Sequence, residues 1–153
     1  MLTITWTNIG DICDGIEALL STAIGVRSST SFDELTEGIP SFDCPRVEVY
    51  WDQSVCDPSG GTDRTTFNAC VQQSVITIFA DLYARQRSQM GEDMKAVVDL
   101  VDAIIPVLQA QQKPPFFGIA GIRAINWSAK RKVFIRAKGK YVGARFTIKC
   151  RVF

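Results

Sequence analysis

Tyr141-Val142-Gly143-Ala144-Arg145-Phe146-Thr147-Ile148-Lys149-Cys150-Arg151-Val152 decides how this chain must fold. From Ala144 on, Ala144, Phe146, Ile148, Cys150 and Val152 fall on one side of an extended chain, and Arg145, Thr147, Lys149 and Arg151 on the other. Successive strand side chains point to opposite faces, so this period of two predicts a strand with one buried face and one basic face. The basic face is either wet or in contact with something. Lys138, Gly139 and Lys140 carry a turn signal just before it, making 138–140 the tip of a hairpin whose first arm is 133–137. A further strand is expected over 121–127.

Upstream the period changes. Met94, Val97, Val98, Val101, Ile104, Ile105 and Leu108 recur at helical spacing, with Glu92 and Asp93 in the first turn, where the helix dipole favours anions. Asp99 and Asp102 point outward. Pro106 removes one hydrogen bond and predicts a kink in the last turn, before Lys113, Pro114 and Pro115 end the element. Residues 67–83, rich in Val, Ile, Phe and Thr, predict a long strand with 75–79 central in a sheet.

Before that strand, Pro58, Gly60 and Gly61 mark 52–66 as a flexible loop. Residues 46–51 alternate, with Val47, Val49 and Trp51 on one face and Glu48 and Tyr50 on the other. Residues 27–45 read as a connection. An amphipathic helix is expected over 9–23, from Ile9, Ile12, Cys13, Ile16, Leu19, Leu20 and Ala23, with Asn8 as its cap and Gly25 as its stop. Asp14, Glu17 and Ser21 lie on its outer face. This order predicts an α+β fold in a single domain over residues 1–153, a mostly antiparallel sheet covered on one face by two amphipathic helices.

Composition removes much chemistry. The chain has 153 residues, 46% of them apolar and 22% charged, which excludes disorder. It has no histidine, so Ser-His-Asp and Cys-His hydrolysis and histidine-based zinc sites are ruled out. Neither G-x-x-x-x-G-K-[ST], S-x-x-K nor G-x-S-x-G occurs. Carboxylates spaced three apart, Asp11 with Asp14 and Asp99 with Asp102, sit on outer helix faces and read as solvated. No catalytic, cofactor or metal residue is assigned, and the chain is expected not to be an enzyme. Cys13, Cys44, Cys56, Cys70 and Cys150 are odd in number and contain no C-x-x-C, so reduced thiols in a cytosolic setting are expected. The first residues lack a basic n-region, and no apolar run approaches the ~20 residues of a membrane helix, so neither signal peptide nor membrane partner is expected.

Charge is distributed unevenly. Residues 1–63 hold eleven acids and two bases, a net of −9; residues 64–153 hold five acids and fifteen bases, a net of +10. Residues 123–153 carry ten Lys or Arg and no acid. Such a chain can associate head to tail, can neutralise its halves within the fold, or can contact phosphate. The basic C-terminal segment interleaves Trp127, Phe134, Tyr141 and Phe146 with cations, the composition of a single-strand-binding sheet, although Phe146 falls on the apolar alternation and points inward.

The acidic helix over 9–23, CPRVEVYWDQ (44–53), VITIFADLYAR (75–85), GEDMKAVVDLVDAIIPVL (91–108) and GKYVGARFTIKCRVF (139–153) stand in an order that resembles the tail terminators of long-tailed bacteriophages. That resemblance implies a hexameric ring whose sheets surround a lumen through which DNA passes. The ring ends polymerisation of the tail tube protein on one side and receives a head-completion or stopper protein on the other. It implies location in the virion tail or neck, with assembly in the host cytoplasm. A different neck component, or a nucleic-acid-binding module using the basic hairpin, are the alternatives. Asp14 and Glu17 are expected to meet Arg145, Lys149 and Arg151 of a neighbouring subunit. Lys130, Arg131, Lys132, Lys138 and Lys140 are expected to contact a partner protein or DNA.

Overall fold

The computed structural model describes residues 7–37, 44–56, 74–136 and 139–152. Within them lie α1 (Ile9–Leu20), β1 (Ser28–Thr30), β2 (Arg46–Cys56), β3 (Ser74–Gln86), α2 (Met90–Gln109), β4 (Ile122–Arg136) and β5 (Gly139–Val152). The strands form one five-stranded sheet in the order β1-β2-β3-β5-β4, antiparallel except for the short parallel β1–β2 pair. The fold is α+β, as the element order predicts.

β5 follows every other element in sequence yet lies inside the sheet, between β3 and β4. Its alternation is realised as read. Ala144, Phe146, Ile148, Cys150 and Val152 are buried, joining Val47 and Val49 of β2, Ile76, Ile78, Ala80 and Leu82 of β3, and the inner faces of both helices in one core. Fully burying a side chain of this size contributes roughly 1.5–3 kcal/mol. Gly143 is required by close approach: a Cβ there would stand 1.7 Å from the Leu82 carbonyl oxygen.

Helix α1 contributes Ile12, Cys13, Ile16 and Leu20 to the core. Asn8 occupies its N-cap, but its side chain donates to Asp11 Oδ2 at 3.4 Å instead of accepting a backbone N–H. Gly25 takes a left-handed φ of 95°, fitting its place after the helix. Helix α2 buries Asp93, Val97, Leu100, Ile104 and Leu108, a stripe rotated from the expected one. Val98, expected inside, is 49% exposed. The helix runs through Pro106 to Gln109. Asp93 satisfies the helix start by accepting the Ser88 N–H at 2.9 Å and pairing with Arg85 at 3.2 Å.

Four expectations are corrected. The loop expected over 52–66 is strand through Cys56, because β2 continues along β3 past a register shift between Trp51 and Gln53; residues 57–66 lie outside the described residues. The segments 121–127 and 133–137 are one continuous strand, β4, which holds its ladder to β5 straight through Ser128-Ala129-Lys130-Arg131-Lys132. Of the hairpin tip expected at 138–140, Gly139 and Lys140 belong to β5, and Lys138 lies outside the described residues. The connection expected over 27–45 contains the added edge strand β1. Residues 67–73, expected as the first part of the long central strand, also lie outside the described residues.

Candidate functional site

The helices cover one side of the sheet, and the other side carries a row of charge. The ladder registers Glu48 with Asp81, Asp81 with Arg145, and Arg145 with Lys130, giving two acids followed by two bases across four strands. Glu48 and Asp81 are both buried. Like charges directly opposite one another destabilise a sheet unless other groups compensate them.

Each acid has its own partners. Arg145 donates from Nε to Asp81 Oδ1 at 2.8 Å and from Nη2 to Oδ2 at 3.2 Å, and the Tyr50 hydroxyl donates to Oδ2 at 2.5 Å. The Arg145 guanidinium also lies 4.2 Å from the Phe79 ring centroid. Glu48 is met by Arg136 at 2.6 Å and by Arg46 at 3.4 Å. Arg136 reaches further, donating to the Tyr83 hydroxyl at 3.1 Å and to the backbone carbonyls of Thr36 and Glu37, so one guanidinium straps the 31–37 segment to the sheet.

These surroundings shift the titrations. The hydrogen bond to Asp81 holds Arg145 above its ordinary value despite partial burial. Burial opposes the Arg136 cation, but Glu48 outweighs it and the pKa rises. Burial, followed by the Asp81 hydrogen bond, pushes the Tyr50 phenol well up, and burial next to Glu48 pushes Tyr83 up to about 12. Both phenols therefore stay protonated at neutral pH. A cleft of about 420 Å³ opens here, lined by Leu35, Tyr83, Phe134, Arg136 and Arg145 among others. Its acids, arginines and tyrosines are committed to one another. Among the described residues no cluster of three His, Cys, Asp or Glu side chains could hold a metal ion, and no helix is long and apolar enough to cross a membrane.

The expected site residues separate into three groups. Arg145 is held inside its own chain by Asp81. Glu17 is partly engaged, its Oε1 accepting the Ser29 hydroxyl at 2.5 Å. Asp14, Lys149 and Arg151 are exposed, as are Lys130, Arg131 and Lys140. Lys130 and Lys132 share the open face with Lys149 and Arg151, whereas the ladder places Arg131 on the helix side, where its Nη1 lies 2.8 Å from Met94 Sδ. Of the interleaved aromatics, Phe134 and Tyr141 are buried against Tyr83, Phe146 is in the core, and Trp127 is half-buried against that core. Exposed charge is thus mostly split by layer, the exceptions being Arg131 and Lys95, which pairs with Asp99 on α2 at 3.4 Å. Asp11 and Asp14 of α1 and Asp99 and Asp102 of α2 face out from the helices, and Lys130, Lys149 and Arg151 face out from the opposite side.

Sequence reading missed Glu48, Asp81 and Arg136. One signal for Asp81 was present, a carboxylate inside the apolar run of 75–84 that could be buried only with a cation beside it. No family model matches this chain, and no curated protein is significantly similar to it.

Proposed function

We propose that the protein is a non-catalytic virion component that forms a ring, in the manner of a phage tail terminator: it ends tube growth and receives the head-completion proteins. The observation that carries this reading is the layered split of exposed charge, acidic on the helices and basic on the far side of β4 and β5. Opposite signs on opposite sides favour a heterologous, head-to-tail contact, the kind that closes rings. The expected subunit pairing narrows to Asp14, with Glu17 secondary, against Lys149 and Arg151, because Arg145 serves Asp81. Exposed pairs contribute about 0–1 kcal/mol each, so a network of them is needed and assembly weakens as salt rises.

Electron microscopy of particles from a parent phage with this gene disabled tests the proposal. Tails of uncontrolled length support the terminator role. Normal-length tails unattached to filled heads move the protein to another neck position, and unchanged infectious particles remove both readings.

The nucleic-acid reading survives in one form. Lys130, Lys132, Lys149 and Arg151 on one face suit phosphate contacts, while burial of Phe134, Tyr141 and Phe146 speaks against base stacking. Micromolar, salt-dependent binding of short DNA by a monomer that never self-assembles would favour it.

A further inference from the structure

The helices leave part of their own side of the sheet uncovered. α2 lies over β3 and β5, and a groove separates it from the edge strand β4. Two adjoining cavities of about 300 and 210 Å³ share Met94, Val97 and Arg131. Val98 of α2 lines the first cavity and Val133 of β4 the second, and they are 49% and 47% exposed. β4 is last in the sheet order, so among the described residues no strand pairs with its outer edge. A long open edge invites another chain.

The charge of this edge defines what it fits. β4 contains five bases and no acid, three of the bases consecutive at Lys130, Arg131 and Lys132. Lys130 and Lys132 stand on the open side and Arg131 on the groove side. The hydrogen-bond acceptor of Arg131 is the Met94 thioether, a weak one for a guanidinium. The groove's acids are Asp102 in one cavity and Asp93 in the other, and Asp93 is engaged by Ser88 and Arg85.

We propose that β4 and this groove take up an extended segment of a different protein as an added strand, and that this segment carries three consecutive acids between two apolar residues. Strand alternation sets the pattern. The outer two acids face Lys132 and Lys130 on the open side. The central acid lies on the groove side and takes Arg131 from Met94. The flanking apolar side chains lie on the groove side, against Val133 and Ala129. A second copy does not supply such a segment, since no three acids are consecutive in this sequence and the free part of β2 offers Asp52 beside a register shift. The proposal is independent of the ring reading.

The probe is a capped, fluorescent heptapeptide, Thr-Val-Glu-Glu-Glu-Val-Thr, titrated with the full chain at low salt. Saturable binding is expected, weakened at least tenfold by Arg131→Glu and by Val98→Asp, and absent when lysine replaces glutamate in the peptide. Amide shifts should map to residues 127–133 and 94–101. The proposal is overturned by no binding at millimolar protein or by binding indifferent to both substitutions. Shifts centred on Lys149 and Arg151 would also overturn it. So would loss of self-assembly on Arg131→Glu without peptide, which would assign the edge to a second copy.

Discussion

Glu48 and Asp81 face each other directly across the β2–β3 ladder, both buried, and each turns away to its own arginine. The two arginines come from β4 and β5, so the strands that carry the basic half of the chain are tied to carboxylates on β2 and β3. Part of the charge asymmetry in the sequence is neutralised inside the fold in this way. Glu48 with Arg136 is an acid from the first half meeting a base from the second.

Removing Arg145 should be costly. Arg145→Met leaves Asp81 buried without its cation, and a loss of about 3–5 kcal/mol is expected in urea unfolding. Arg145→Met combined with Asp81→Leu should recover most of it. Equal losses for the single and double variants would show that Arg145 acts through packing on Phe79 alone.

Arg136→Ala leaves buried Glu48 with Arg46 as its remaining cation, which costs stability, and it also frees the 31–37 segment. The carbonyls of Thr36 and Glu37 lose their donor, so limited proteolysis within 31–37 should accelerate at least severalfold while the β3–β5 amides keep their hydrogen-exchange protection. Cleavage unchanged in rate would mean that other contacts hold the segment.

Cys13 and Cys150 are fully buried, and burial pushes both thiols up to about 12. In the unfolded chain they ionise from about pH 8.5. Their contribution is therefore complete below that pH and is lost as pH rises towards 12, by up to about 1.4 kcal/mol per thiol per pH unit. Thermal unfolding followed between pH 8 and 10.5 should show this decline, flattened in the Cys13→Ala, Cys150→Ala double variant. Peptide mapping after native alkylation should find Cys13 and Cys150 unmodified and half-buried Cys44 labelled well ahead of them.

Gly143→Ala drives a methyl into the Leu82 carbonyl. A loss on the order of 3 kcal/mol or more is expected, beyond what helix or strand propensity would cost. A variant of near-native stability would mean that β3 and β5 can separate at this point without penalty.

Lys149→Glu with Arg151→Glu tests subunit pairing without touching the Asp81 cluster. Self-assembly at low salt, followed by light scattering, should fall by tenfold or more in concentration, and Asp14→Lys added to that variant should restore part of it. Assembly indifferent to these reversals would exclude this pairing.

What the sequence disclosed follows from where side chains are buried. β5 and α1 each bury one face and expose the other, so both periods stood out. β4 did not, because an edge strand exposed on most positions needs no apolar alternation, and Ser128 to Lys132 therefore read as a break. The 52–56 end of β2 was lost for the same reason. Glu48 and Tyr50 were assigned to a face opposite the core, correctly, but no burial was expected of that face. Their burial depends on Arg136 and Arg145 arriving across the sheet, and register over 64 to 88 residues is not written in any local pattern.

The interior position of β5 also governs how the chain can be made. β3 cannot complete its ladder, nor β4 find any ladder at all, until the ribosome has passed Val152. A nascent chain that has emerged only as far as β4 can pair β1, β2 and β3, but it leaves one edge of β3 and the whole of β4 without a partner. Closure of the sheet therefore waits on its last strand, a non-local pairing that is slow and exposed to aggregation.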